Sequence, residues 1–471
     1  MRGLTIAFTS YLIFMCAPVV ALSQAQPIIH QSQPLPPLTR PTSEPPSTRH
    51  TSQAGEIPAL QPLIPISSQP RLKTQAIAFR TFLREVEHSN LDYAAQRYNV
   101  PIAEAQVTAA KVFPNPTLQT GFSSDVSHEK QATTYASGVT QTILLGGKIR
   151  ARTEVAKGNL MVNAAQLEDF FRNLRATATN AFLDGLSGQL SLERKKRSLE
   201  TLERLVASNQ ERLRAGDIGE VDLLQSRVAA LQARSDFLAA QSTFEQGLIA
   251  LADLLGDRDQ RVMFNPRGTL KVRPLSLGLE ELVASALAKR GDVLAAERAR
   301  EGARAQYNLT RANRVPDVDI GVGVVHSTRI TNTIDPAPPW NSLALTLSVP
   351  IPLSNINRGD LMAAKFGEAQ ADKTAEATEL RAVTEVRQEF IRYNLACAAV
   401  SQYSGELLQD ADTVLEAKLY SYRRGSASLL EVLDAQRANN DTYLAYFAAL
   451  SEQAKSLVGV EQAAAIWDIE F

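Results

Sequence analysis

Two long stretches without proline limit what this chain can become. From Gly147 to Gly216, and again from about Asn357 to Gly425, the sequence reads as continuous helix. At 1.5 Å per residue either stretch would span roughly 100 Å, more than a compact domain can use. Each ends on a glycine, in "RLRAGDIGEVDLLQSRVA" (Arg212 to Ala229) and "YRRGSASLLEVLDAQRA" (Tyr422 to Ala438), and an acidic residue, Asp222 or Glu431, follows six positions later. Further helices, about Ile218 to Leu255 and Ala427 to Ile466, then run back. Val221, Leu224, Val228, Leu231, Ser235 and Leu238 recur at three and four, the spacing of a coiled-coil seam, which Arg437 and Asn440 interrupt in the last helix.

The two hairpins belong to an internal duplication. "AAKVFPNPTLQTGF" (Ala109 to Phe122) lies over "RANRVPDVDIGVGV" (Arg311 to Val324), with Pro114 on Pro316 and Gly121 on Gly323. "TQTILLGGKIRAR" (Thr140 to Arg152) lies over "SVPIPLSNINRGD" (Ser348 to Asp360), and Gly216 over Gly425. Shorter helices are expected at about Gln75 to Glu87 and Leu279 to Lys289. Longer ones follow at about Ser89 to Phe113, kinked by Pro101, and Gly291 to Arg314.

Each half also holds two candidate strands. In Asp317 to Ser327, Val318, Ile320, Val322 and Val324 alternate with Asp319, Gly321 and Gly323; Leu343, Leu345, Leu347 and Val349 alternate with Ala344, Thr346 and Ser348. One greasy face and one small or polar face is the pattern of a lipid-facing barrel strand, and equally of a half-buried soluble hairpin. The first half's strands, about Thr117 to Val126 and Thr134 to Leu145, alternate less cleanly. Trp340 precedes the fourth strand, where an interfacial aromatic would sit. Four strands cannot close a membrane barrel, for which about eight is the lower limit, whereas three copies supply twelve.

The N-terminus, "MRGLTIAFTSYLIFMCAPVVALSQAQ", reads as a secretory signal over residues 1–23, with retention as an anchor or lipidation at Cys16 as the other readings. Cleavage would leave Cys397 as the one cysteine and no intramolecular disulfide. Residues 24–72 hold 11 of the 23 prolines and no aromatic, the composition of an extended linker. The first repeat is then 73–270 and the second 271–471. The balance of 49 basic against 50 acidic residues, with no basic tract, argues against nucleic acid. Five scattered histidines, His30, His50, His88, His128 and His326, offer no metal-ligand spacing and no nucleophile–base motif, which argues against an enzyme, a metal site or a cofactor.

From about Leu72 to its end the chain resembles the TolC-like outer membrane efflux family. The resemblance is carried by "FPNPTL", "RVPDVDIGVG" and the two glycine-centred turns, the second ending in "LLEVLDAQR"; "ILLGGKIRAR" and "PIPLSNINRG" resemble its heavy-metal, CzcC-type branch. It implies a mainly α fold with a β-barrel. Duplicated helical hairpins would form a trimeric α-barrel, and four strands per subunit would contribute to a 12-stranded transmembrane β-barrel in outer membrane lipid. The implied homotrimer is a passive exit duct that docks a periplasmic adaptor and an inner-membrane resistance-nodulation-division pump. Multidrug efflux or type I protein secretion are alternatives within the family; a trimeric coiled-coil stalk is one outside it.

The resemblance further implies that Ala215, Gly216, Asp217, Arg424, Gly425 and Ser426 form the tips an adaptor grips, although the glycines also suit plain helix capping. Glu431 and Asp434 share a helix face and match positions that ring the tunnel's constriction. The first half supplies Asp222 over Glu431 but Gln225 over Asp434. Tyr422 and Arg423 would support the closed gate.

Overall fold

A computed structural model describes residues 73–124, 133–258, 262–328, 338–353, 356–403 and 405–467. The expected signal segment, the proline-rich linker and most of the two strand-connecting loops lie outside the described residues.

The first repeat runs β1 (Lys73–Ala78), α1 (Phe79–Ser89), α2 (Leu91–Arg97), α3 (Asn99–Ala110), β2 (Thr117–Ser124), β3 (Thr133–Ile143), α4 (Lys148–Ala215) and α5 (Glu220–Leu254). The second runs β4 (Val262–Arg267), α6 (Leu279–Lys289), α7 (Gly291–Ala312), β5 (Val318–Ser327), β6 (Trp340–Ser348), α8 (Arg358–Gln402), α9 (Gly405–Arg423) and α10 (Leu429–Ala464). The long-hairpin expectation is met most fully by α4, a single helix of 68 residues.

Three local expectations are corrected. The stretch read as helix from Gln75 begins as strand β1, because it pairs in parallel with β4, a partner 189 positions on at Lys73↔Val262 that no local pattern reveals. The stretch from Asn357 to Gly425 is not one helix: α8 ends at Gln402 and α9 starts at Gly405, a Ser-Gly step of the kind that breaks a helical ladder. The α5 ridge Val221, Leu224, Val228, Leu231 and Leu238 is not an internal seam. Those side chains are 40–67 % exposed, and the buried line is the neighbouring Leu223, Ser226 and Ala230. The expected kink at Pro101 is a break between α2 and α3, where proline occupies the first turn and its missing N–H costs nothing.

The core lies midway along the helices. Phe79 and Phe82 of α1 stack on Phe182 of α4, each pair of ring centroids 5.4 Å apart, among Leu183, Leu251, Leu282, Val386 and Val458. Gly185 is required here, since a Cβ would lie 2.8 Å from the Pro266 ring where β4 crosses α4. The duplication persists in the joints. Asn90 donates to the Leu254 carbonyl at the end of α5, and Arg290 donates to the matching Ala463 carbonyl in α10. Arg290, almost fully buried, also pairs with Asp292 and Glu385, so the second joint is ionic where the first is neutral.

The other sheet has the order β2-β3-β5-β6, antiparallel throughout. The register aligns Leu118, Val139, Val322 and Leu345 in one row and Phe122, Tyr135 and His326 in another, so one face is apolar. That face is bare: Leu343, Leu345 and Leu347 are 68–78 % exposed. The opposite face carries Gly121, Gly138, Gly323, Ala136 and Ala344. Trp340 is the first residue of β6 rather than preceding it. A left-handed Gly146-Gly147 pair turns β3 into α4, and Asn357, also left-handed, does the same for α8. Buried Lys148 then binds Asp317 at 2.7 Å, fastening the helix start to the start of β5.

Candidate functional site: the paired helical tips

The glycine turns are the same device built twice. Gly216 and Gly425 adopt φ of 83° and 74°. The amide of Asp217 donates to the Arg212 carbonyl at 2.8 Å, and that of Ser426 to the Ser421 carbonyl at 3.0 Å. Gly216 and Gly425 themselves donate to Leu213 and Tyr422. This is the Schellman arrangement, in which a left-handed residue lets the chain satisfy its last helical carbonyls. A Cβ at either glycine would meet nothing within 4 Å, so φ, not space, demands glycine. Ala215, Gly216, Asp217, Arg424, Gly425 and Ser426 are all exposed. The Arg424 guanidinium lies 4.8 Å over the Tyr420 ring.

The return helices start differently. Ser428 caps α10: its hydroxyl accepts from the Glu431 amide, and the Glu431 carboxylate accepts from the Ser428 amide at 3.2 Å. In α5 the cap is Gly219, and Asp222 stands in the position of Glu431. Lys418 of α9 donates to Glu431 Oε2 at 2.6 Å. That hydrogen bond, with those from Ser428, holds the Glu431 carboxyl at about 2, well below its ordinary 4.5. Since the folded state holds the proton more weakly, the capping contribution is whole above about pH 4.5 and is lost as pH falls towards 2. Lys418→Met is expected to raise the Glu431 midpoint back towards the usual carboxylate range, as read by site-specific titration of that side chain. Asp434, one turn on and exposed, has Arg437 3.9 Å away.

Tyr422 is buried, its hydroxyl donating to Asn209 Oδ1 at 2.8 Å. Arg212 donates to the Tyr422 carbonyl at 3.2 Å and stacks over its ring at 4.8 Å. Burial pushes the Tyr422 phenol up. These contacts tie the second tip to α4. Arg423 is exposed and makes no ion pair or hydrogen bond among the described residues, so the cation at Tyr422 is Arg212 instead. Sequence reasoning missed Asn209, Arg212 and Lys418. Only Arg212 gave a signal, standing at the head of the first quoted turn.

Further up the same seam, the Arg194 guanidinium lies 3.9 Å over the Tyr443 ring and donates to Asn439. Asn439 and the Tyr443 hydroxyl both donate to Asp412 of α9. The polar residues that interrupt the heptad pattern of α10 are therefore the ones that bind α4 and α9. Among the described residues, no group of three or more His, Cys, Asp or Glu is placed to hold a metal ion, and no helix is long and apolar enough to cross a membrane.

The chain is 23% identical over 397 residues to the cobalt-zinc-cadmium resistance protein CzcC of Cupriavidus metallidurans, covering 83% of this chain and 91% of that protein. It is 23% identical over 319 residues to the pyoverdine export outer membrane protein OpmQ of Pseudomonas putida, 66% of each chain. Its fold matches the crystal structure of CusC at a TM-score of 0.66 with 18% identity, over 82% of this chain and 91% of that one. The open-state Neisseria gonorrhoeae MtrE outer membrane channel matches at 0.65 with 20% identity, over 82% and 88%. The sequence pattern described as outer membrane efflux protein matches residues 82–257 and 282–465, once in each repeat. With its paired hairpins, bare four-stranded sheet and twofold match, the chain belongs to the outer membrane efflux protein family, whose members are channels of the outer membrane extending into the periplasm.

Proposed function

We propose that three copies of this chain form the exit duct of a tripartite pump for heavy-metal cations. The observation that carries the trimer is the sheet: four strands with a bare apolar face and two unpaired edges, β2 and β6, cannot stand alone in lipid. The exposed α5 ridge would be covered by the neighbouring copy. Similarity to CzcC, named for cobalt-zinc-cadmium resistance, supports a metal cargo. Similarity to OpmQ, named for pyoverdine export, supports a small organic cargo as the second reading. The duct is passive and carries no catalytic site. Residues 1–23 act as the export signal and 24–72 as an extended strap. A strain lacking this chain is expected to become sensitive to cobalt, zinc and cadmium; sensitivity confined to organic compounds would favour the second reading.

In this assembly the six tip residues meet a periplasmic adaptor, which links the duct to an inner-membrane pump of the resistance-nodulation-division kind. Glu431 and Asp434, with Asp222, ring the constriction, and Tyr422 holds it closed through Asn209 and Arg212. Gly425→Trp clashes with nothing inside the protomer and strains only φ, at about 1–2 kcal/mol. It is expected to abolish export while trimers still assemble. Normal metal resistance in that variant would remove the tip from the docking surface.

A further inference from the structure

The duplication carries one consequence beyond trimer formation, on which it rests: it fixes the strand register between neighbouring copies. The sequence alone places Gly121 on Gly323, an offset of 202, and Thr140 on Ser348, an offset of 208. The structure obeys both offsets at once. Thr117 pairs with Thr140 in the first hairpin, and the residues that the offsets assign to them, Asp319 and Ser348, pair with each other in the second. The two hairpins are thus the same unit, and the β3–β5 seam joins one unit to the next.

In a closed barrel of six such units, every seam joins equivalent edges. We infer that β6 of one copy pairs with β2 of the next in the register of the β3–β5 seam, carried over by those offsets. Gly138 faces Gly323 within the protomer, so Thr346 faces Gly121 of the next copy. By the same mapping Ser137 and Val324 become Leu345 and Phe122, and Gln141 and Ile320 become Val349 and Leu118.

Three features of the protomer agree. Leu345, Phe122, Val349 and Leu118 are exposed apolar side chains, and this parity sets them all on the greasy face; a one-residue slip would mix the faces. A Cβ at Gly138 meets Gly323 Cα at 3.1 Å, whereas one at Gly121 meets nothing within 4 Å, as expected for an edge whose neighbour is another molecule. The barrel also closes. Stepping from Thr117 through Thr140, Gly321 and Thr346 to Gly121 of the next copy advances four residues, so three copies give a shear of about twelve, equal to the strand number. Equal shear and strand number give a tilt of about 36°, inside the range of membrane barrels. A slip that set Thr346 against Gln119 would halve the shear and leave the strands too upright.

Cysteine pairs in the full-length protein test the register, with Cys16 and Cys397 replaced by alanine. Thr346→Cys is combined in turn with Gln119→Cys, Gly121→Cys and Ser123→Cys. All four positions lie on the small-residue face, and within one chain β3 and β5 separate the paired strands. Oxidation is expected to give covalent trimer several-fold more efficiently with Gly121→Cys than with either neighbour. A trimer by native mass spectrometry that cross-links best at 119 or 123, or at none of the three, overturns the register and leaves the trimer standing. A protein that is monomeric by that measurement overturns both.

Discussion

Glu431→Gln combined with Asp434→Asn is expected to weaken block of the channel by a trivalent cation complex about tenfold or more and to lower its cation preference, with trimers retained. The double change removes six carboxylates from one opening, and a tenfold loss corresponds to only about 1.4 kcal/mol of cation binding. Glutamine at the third helical position still accepts from the Ser428 amide, so the helix start survives and the readout reports charge rather than folding. The structure also ranks the two acids. Glu431 is already neutralised by Lys418 at 2.6 Å, whereas Asp434 has only Arg437 at 3.9 Å and stands exposed. Asp434→Asn alone should therefore cost more block than Glu431→Gln alone, and Lys418→Met should strengthen it. Unchanged block and selectivity in single-channel recordings of the double variant would rule out an acidic constriction here.

The largest effect on stability is expected at Phe182, far from the tips. Its ring is fully buried and contacts Phe79 and Phe82, so it fastens the segment before the first hairpin to the middle of α4. Phe182→Ala leaves a cavity in a helix held rigid on either side, where little can collapse to fill it, at a cost of about 3–5 kcal/mol. Thermal denaturation of the purified protein should show a lowered midpoint and earlier protease cleavage within α4, with Phe182→Leu intermediate. A midpoint unchanged by Phe182→Ala would mean that the aromatic cluster does not hold the hairpin.

Much of the architecture was legible because it is written in local periodicity. The alternation of Val318 to Val324 and of Leu343 to Leu347 assigned strand and face together, and the structure keeps both. Gly216 and Gly425 ended helices by their own backbone freedom, so their turns were readable without knowing what surrounds them. The duplication was legible too, and it reappears in matched joints such as Asn90–Leu254 and Arg290–Ala463.

What the sequence could not show is which residues meet across the fold. Tyr422 and Asn209 are 213 positions apart, so nothing local pairs the phenol with that amide rather than with Arg423 beside it. The α5 heptad looked like an internal seam because spacing marks a ridge but not the molecule that covers it, and packing against α4 chose Leu223, Ser226 and Ala230 instead. Strand β1 read as helix because its parallel partner lies in the other repeat. The sequence alone determined the elements, their faces and their twofold repetition, since backbone conformation and amphipathic period depend on near neighbours. Only the tertiary structure decided the partners of Tyr422, Glu431 and β1, because contacts between distant segments form only once the whole chain sets their separation and angle.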